Sequence, residues 1–177
     1  MNGNDKASSV AKNIKLLILD VDGVLTDGGI SFDENGVEHK TFDSQDGVGI
    51  KLLQLSGIEV AVITARSTKS VAHRLKGLGV KHYYHGITDK SIALKELTKK
   101  LSIEMSESAY VGDDVIDLPA MTRVGFPIAV ANAHSFVKEN ALMVTNNSGG
   151  SGAVREVCDF LLKSQNKYDE LMSSFLK

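Results

Sequence analysis

Asp20-Val21-Asp22-Gly23 follows directly on an apolar run, Ile14–Leu19. Two acids two residues apart at the tip of a buried strand add nothing to packing. They suit phosphoryl transfer, where one carboxylate attacks phosphorus and the other moves a proton. Three further positions carry matching groups. Thr64-Ala65-Arg66 ends a second apolar run, Glu59–Ile63; Lys90 follows a third, Val80–Tyr84; Gly112-Asp113-Asp114 ends a fourth, with Asp117 one helical turn beyond. The set contains a nucleophile, an acid/base, a hydroxyl, a cation and hard oxygen ligands of the kind magnesium takes. Asp20 is the expected nucleophile and Asp22 the proton carrier. Asp20 and Asp113 are the expected direct metal ligands. The backbone carbonyl of Asp22 would be a third, and Asp114 and Asp117 would hold metal-bound waters. Thr64, nearby backbone N–H groups including that of Ala65, and Lys90 would hold the phosphoryl oxygens.

Any one of these features has a plain structural reading. Asp-x-Asp is common in turns, Gly112-Asp113-Asp114 and Thr64 suit helix caps, and Lys90 alone is a surface lysine. Their occurrence together at successive strand ends is what points to a site.

The elements that must position them follow from patterning. Short apolar runs alternate with helical spacings, as in Val71, Leu75 and Leu78, closed by Gly79. This predicts an α/β fold, a Rossmann-like parallel sheet with helices on both faces, whose ligands bind beyond the carboxyl ends of the strands. Ile30–Glu34 and Val37–Phe42 flank Asn35-Gly36, a two-residue hairpin signal, and predict a small β-hairpin flap. Val48, Leu52 and Leu55 mark the next helix, with Asp43 and Gln45 at its entry. Residues 1–12 read as a disordered tail and residues 13–177 as one domain ending in a helical segment. Gly149-Gly150-Ser151-Gly152 reads as a mobile hinge before that segment.

Composition narrows the function classes. The 177 residues are 42% hydrophobic and 24% charged, with a formal net charge of -2, so no basic field invites nucleic acid. The single Cys158 cannot form an intrachain disulfide and suits a reducing compartment. No window approaches the ~20 apolar residues of a membrane span, and the first dozen lack the core of a secretory signal. A cytoplasmic protein with no membrane partner is expected.

The order Asp20-x-Asp22-Gly23-x-x-Thr26, Thr64, Lys90, Gly112-Asp113-Asp114-x-x-Asp117 resembles the haloacid dehalogenase superfamily, over about residues 14–130. The resemblance implies Mg2+ and an aspartyl-phosphate intermediate, and the acid at Asp22 marks phosphatases rather than dehalogenases. Superfamily members often carry a substrate-selecting cap domain. Here neither insertion point has room for one. The longer stretch Asp20–Gly29, the hairpin, Phe42–Gly47 and Gly149–Cys158 are similar to the 3-deoxy-D-manno-octulosonate 8-phosphate phosphatase family. That similarity implies a sugar acid phosphate substrate of lipopolysaccharide precursor synthesis. It also implies a homotetramer whose C-terminal segment reaches a neighbour's active site. Within it, Arg66 suits a sugar acid carboxylate, and Arg74, Thr26 and His85 are weaker substrate candidates. Ala65 stands where the family usually has Gly. Two alternatives remain open at this point: a phosphatase of a nine-carbon sugar acid 9-phosphate, and a phospho-accepting signalling receiver domain.

Overall fold

The computed structural model describes residues 3–177. Its centre is a six-stranded sheet in the order β5-β4-β1-β6-β7-β8, built from β1 (Leu16–Leu19), β4 (Glu59–Ile63), β5 (His82–Tyr84), β6 (Ser108–Gly112), β7 (Phe126–Ala129) and β8 (Met143–Val144). Every neighbouring pair in it is parallel. All four β1 residues are fully buried, which is why the run carries no polar alternation. Helices α2 (Ser44–Leu55), α3 (Lys69–Leu78), α4 (Lys90–Leu101), α5 (Leu118–Met121), α6 (Ser135–Glu139) and α7 (Ala153–Ser164) supply the connections and the C-terminal cover. A short α8 (Tyr168–Ser173) follows.

The chain winds from β1 outward to β5 on one side, then returns to β6 and winds to β8 on the other. That reversal opens a crevice beside the end of β1. Register sets what faces it. Leu19 lies level with Val62 on β4 and with Val111 on β6. Asp20, Thr64 and Asp113 therefore emerge from one edge of the sheet.

Local signals account for most helix limits. Asp43 caps α2 through Oδ1, which accepts the N–H groups of Gln45 at 2.6 Å and Asp46 at 3.0 Å. Asp89 caps α4 in the same way from Ser91 N at 3.0 Å. Gly79 closes α3 in the left-handed conformation, with φ of 73°. Helix α7 has no side-chain cap of its own. Buried Asp46, on α2, takes that place: its Oδ1 accepts Arg155 N at 2.7 Å. Burial pushes the Asp46 carboxyl up to about 6.

Four expectations need correction. Residues 3–11 form helix α1 (Gly3–Ala11), with Ala7 and Ala11 buried, so the tail is ordered where it is described; Met1 and Asn2 lie outside the described residues. The hairpin is reduced to β2 (Ser31–Phe32) and β3 (Glu38–His39). Asp33 organises its turn by accepting Asn35 N at 2.9 Å and Val37 N at 2.8 Å. On α2, Val48 and Leu55 face solvent, while Asp46, Gly49, Ile50 and Leu53 are buried where α7 packs.

The fourth correction concerns Gly149–Gly152, which is a docked loop rather than a hinge. Gly149 N donates to Asn132 Oδ1 at 2.7 Å and Gly150 N to Val24 O at 3.0 Å. A Cβ on Gly149 would stand 1.7 Å from the carbonyl oxygen of Gly23. Beyond the loop, Val154, Val157, Cys158, Leu161 and Leu162 are completely buried. At roughly 1.5–3 kcal/mol per buried aliphatic side chain, removing them costs about as much as the ~5–15 kcal/mol that holds a whole domain. Truncation before Gly149 is expected to abolish the cooperative urea transition followed by far-ultraviolet circular dichroism. Removal of the exposed Ser174–Lys177 end should leave the midpoint nearly unchanged.

Candidate active site

Asp20, Asp22, Gly28, Thr64, Ala65, Arg66, Asp113, Asp114 and Ile116 line a small cleft of about 220 Å³ at the carboxyl edge of the sheet. Most of the expected groups converge there. Carboxylate oxygens of Asp20, Asp113 and Asp117 all lie within 4.8 Å of one another. Lys90, fully buried, is the cation set among them: its Nζ is 2.9 Å from Asp20 Oδ2 and 2.6 Å from Asp117 Oδ1.

Three carboxylates and one ammonium in a dry site leave an excess of negative charge. Burial, then the Asp117 charge, pushes Asp20 up to about 7, against the opposing pull of Lys90. Burial, then Asp117 and Asp20, does the same to Asp113, also to about 7. Burial works against the charge of Lys90, yet Asp20 and Asp117 outweigh it and raise its pKa. Hard oxygen donors with surplus negative charge fit a divalent cation.

Asp117 is less free than its neighbours. Its Oδ1 accepts from Lys90 Nζ at 2.6 Å and Tyr110 Oη at 2.9 Å; its Oδ2 accepts Asp113 N at 3.0 Å and Asp114 N at 3.3 Å. Those four bonds use the ordinary capacity of a carboxylate. Asp117 thus orients Lys90 and the Asp113 turn, leaving Asp20 and Asp113 as the available ligands. Asp114 turns outward and caps the following 3-10 turn through Val115 N at 2.7 Å.

Backbone shape holds the two acidic loops together. Gly23 has φ of +81°, and a Cβ there would fall 2.0 Å from Asp113 Oδ2. His134 N donates to Asp113 O at 2.8 Å, and Asn132 Nδ2 reaches Gly23 O at 3.5 Å. Thr64 Oγ1 accepts Arg66 N at 3.3 Å, and the Thr64 backbone joins Tyr84 O and Ile87 N, which pins the loop ahead of Lys90.

Three weaker candidates are placed elsewhere. Arg74 Nη2 donates to Asp43 O at 3.0 Å and its guanidinium sits 5.9 Å from the centre of the Phe42 ring, so it braces the entry to α2. Thr26 is buried; its hydroxyl donates to Val21 O at 3.4 Å and accepts Gly28 N at 3.2 Å, folding the catalytic loop rather than facing the cleft. His85 is exposed outside the cleft lining, its ring 4.8 Å from that of Tyr83.

Two residues of the hairpin were missed. Lys40 has its side chain only 1% exposed and pairs with Asp22 and with Glu38 Oε1, the latter at 2.7 Å. Glu38 Oε2 in turn accepts Arg66 Nη2 at 2.9 Å. No motif spacing links residues 38 and 40 to residue 22; only the fold-back of the flap does. A larger cavity of about 870 Å³ lies between α1, β8 and α7. Arg155 is spent there on Asp159, Glu156 on the Asn146 and Asn147 N–H groups, and Lys163 lies over the Tyr168 ring.

The haloacid dehalogenase-like hydrolase profile matches residues 84–157. The 3-deoxy-D-manno-octulosonate 8-phosphate phosphatase KdsC of Escherichia coli K12 is 52% identical over 160 residues, covering 90% of this chain and 85% of that protein. The chain belongs to the 3-deoxy-D-manno-octulosonate 8-phosphate phosphatase family. The Yersinia pestis KdsC is 47% identical over 159 residues, again 90% of this chain and 85% of the relative. The Moraxella catarrhalis phosphatase, solved with magnesium ion, phosphate ion and KDO, superposes with a TM-score of 0.95 at 46% identity, covering 97% of this chain and 98% of that one. A cobalt-bound Haemophilus influenzae family member gives 0.91 at 40% identity, covering 95% and 99%. Membership of this phosphatase family makes the chain a phosphoric monoester hydrolase and sets the receiver-domain alternative aside.

The charge excess predicts how metal-free protein responds to pH. Asp20 and Asp113 have folded pKa values raised from 3.8 to about 7. Their contribution is fully present below about pH 4 and is lost as pH rises through about 7. With chelator present, Tm is expected to fall between about pH 5.5 and pH 8. Asp46 titrates in the same sense, so the cation-dependent part is the readout. A divalent cation should raise Tm more at pH 8 than at pH 5.5, because ligands must be deprotonated to bind it.

Proposed function

We propose that this chain hydrolyses 3-deoxy-D-manno-octulosonate 8-phosphate to the free sugar acid and inorganic phosphate, in lipopolysaccharide precursor synthesis. The observation that carries the substrate is 52% identity across 90% of the chain to phosphatases of that name. The cleft geometry supports the chemistry.

Asp20 is the nucleophile. Its carboxylate attacks phosphorus, forming an aspartyl-phosphate as the bond to the sugar oxygen breaks. Asp22, two residues on at the same cleft, gives its proton to the departing oxygen. It then takes a proton from the water that attacks the aspartyl-phosphate, which frees phosphate and restores Asp20. Thr64 and the Ala65 N–H line the cleft where phosphoryl oxygens must sit, and Lys90 balances Asp20. Asp20 and Asp113 would hold magnesium, which would supply the positive charge that an anionic nucleophile needs to approach a phosphate dianion. Arg66 is the residue for the sugar acid carboxylate: it lines the cleft and keeps donors beyond the one used by Glu38.

The working unit is a homotetramer in the cytoplasm. Ile30, Phe32 and Val37 are more than half exposed on the hairpin, beside a cleft with no cap of its own. Phe175 and Leu176 at the C-terminal end are equally bare and suit a neighbour's site. No helix among the described residues is long and apolar enough to cross a membrane, and Cys158 is a buried free thiol.

The test is phosphate release from the eight-carbon acid 8-phosphate, nine-carbon acid 9-phosphates and hexose phosphates, with magnesium and with chelator. Turnover is expected to require magnesium and to favour the eight-carbon acid. Asp20→Asn should lower kcat by at least about a thousandfold. Full activity in that variant means another nucleophile, and preference for a nine-carbon acid replaces the substrate while leaving the chemistry.

A further inference from the structure

Asp22, Lys40, Glu38 and Arg66 form a closed chain of charges between the flap and the cleft. Lys40 bridges Asp22 and Glu38, and Glu38 bridges Lys40 and Arg66. With Asp22 ionised, two anions meet two cations; with the proton that Asp22 needs for the first step, Glu38 alone offsets Lys40 and Arg66 and one positive charge is left over. The inner end is rigid and the outer end open: the Lys40 side chain is 1% exposed, Glu38 12% and Arg66 41%. Arg66, then Lys40, holds the Glu38 carboxyl below its usual range, so it remains an anion.

The geometry points to Glu38 as a positioning residue for substrate selection: anchored by buried Lys40, it fixes the Arg66 guanidinium so that its remaining donors meet the carboxylate of the sugar acid. A long exposed arginine searches many rotamers, and a bound carboxylate on one Nη removes most of them. Only Nη2 is given to Glu38, and Nε stands 3.9 Å from Asp22 Oδ2. Because Glu38 offsets most of the Arg66 charge and takes only Nη2, recognition depends on the directed hydrogen bonds of the remaining donors rather than on a general positive field. This inference rests on the reading that Arg66 receives the carboxylate.

The experiment compares kcat/KM for 3-deoxy-D-manno-octulosonate 8-phosphate with that for glucose 6-phosphate, which has no carboxylate. Wild type, Arg66→Ala, Glu38→Ala, Glu38→Gln and the Arg66→Ala/Glu38→Ala pair are measured with magnesium. Glu38→Ala is expected to lower the ratio about tenfold, mostly through KM for the acid. Glu38→Gln preserves the shape of the arm and should lose an intermediate amount. The double variant should fall no further than Arg66→Ala alone, because the two residues act as one unit. A lower KM for the acid in Glu38→Ala means that Glu38 competes with substrate, and overturns the inference. So does an equal loss on both substrates. If Arg66→Ala is selective and Glu38→Ala is not, the inference alone fails. If Arg66→Ala leaves the ratio unchanged, the carboxylate reading fails and takes the inference with it.

Discussion

One buried ammonium holds this structure's chemistry in place. Lys90 lies between Asp20 and Asp117 with no exposure to water, while Asp113 adds a third carboxylate that it does not balance. A buried charge is tolerated only with partners, and removing one partner strands the other. The rest of the carboxyl edge can be understood as what is needed to keep these four groups together with two more negative charges than positive ones. That surplus makes the site a cation site, and a cation is what an anionic nucleophile needs before it can meet a phosphate.

Asp117 gives this arrangement its stiffness. It reaches Lys90 on α4, Tyr110 on β6 and two backbone N–H groups of the Asp113 turn. Gly112 beside it has no room for a side chain, since a Cβ there would meet the Asp117 side chain at 2.6–2.7 Å. A second layer comes from the other half of the sheet. Asn132 ties the Gly23 loop to Gly149, and the Gly149–Gly152 loop rests on Val24. Helix α7 follows at once, with its first turn capped from α2 by Asp46. The C-terminal helix therefore belongs to the same packed unit as the nucleophile loop, although more than a hundred residues separate them.

Patterning made the sheet, its crevice and the four strand-end groups legible, because each depends on a few adjacent residues. Apolar runs ended where strands end, and Asp20, Thr64 and Asp113 stood immediately after them. Asp43, Gly79 and the approach to Lys90 were legible for the same local reason. What escaped was set by contacts distant in sequence. The stripe Val48–Leu52–Leu55 has helical period, but only Leu52 is buried; Val48 and Leu55 face solvent and the face containing Asp46 and Ile50 packs inward. Arg74 follows Arg66 by eight residues, which is two turns on a continuous helix, yet Arg66 lies in the loop before α3 and the Asp43 carbonyl and Phe42 ring claim Arg74. Thr26 sits in the motif as a hydroxyl and spends it on its own loop. Gly149, Gly150 and Gly152 suggested flexibility by composition, whereas the first two serve close backbone approach and Gly152 a left-handed turn into α7, with φ of +93°. Lys40 and Glu38 belong to no motif, and only the fold-back sets them against Asp22 and Arg66.

The division between what was and was not legible follows the division of labour in the site. Phosphoryl transfer is performed at strand ends, where the sheet supplies rigidity and neighbouring residues supply the chemistry. The proposed selection of the substrate falls to the hairpin, two short strands whose own pairing is marginal in isolation. Such an arm gains definition by borrowing it, here through a buried lysine locked onto a residue of the catalytic loop. The same contact that orders the flap therefore ties it to the cleft, since Asp22 lines the cleft and pairs with Lys40. A capless core with such an arm can change substrate by altering Glu38 and Arg66 while Asp20, Asp113, Asp117 and Lys90 stay as they are.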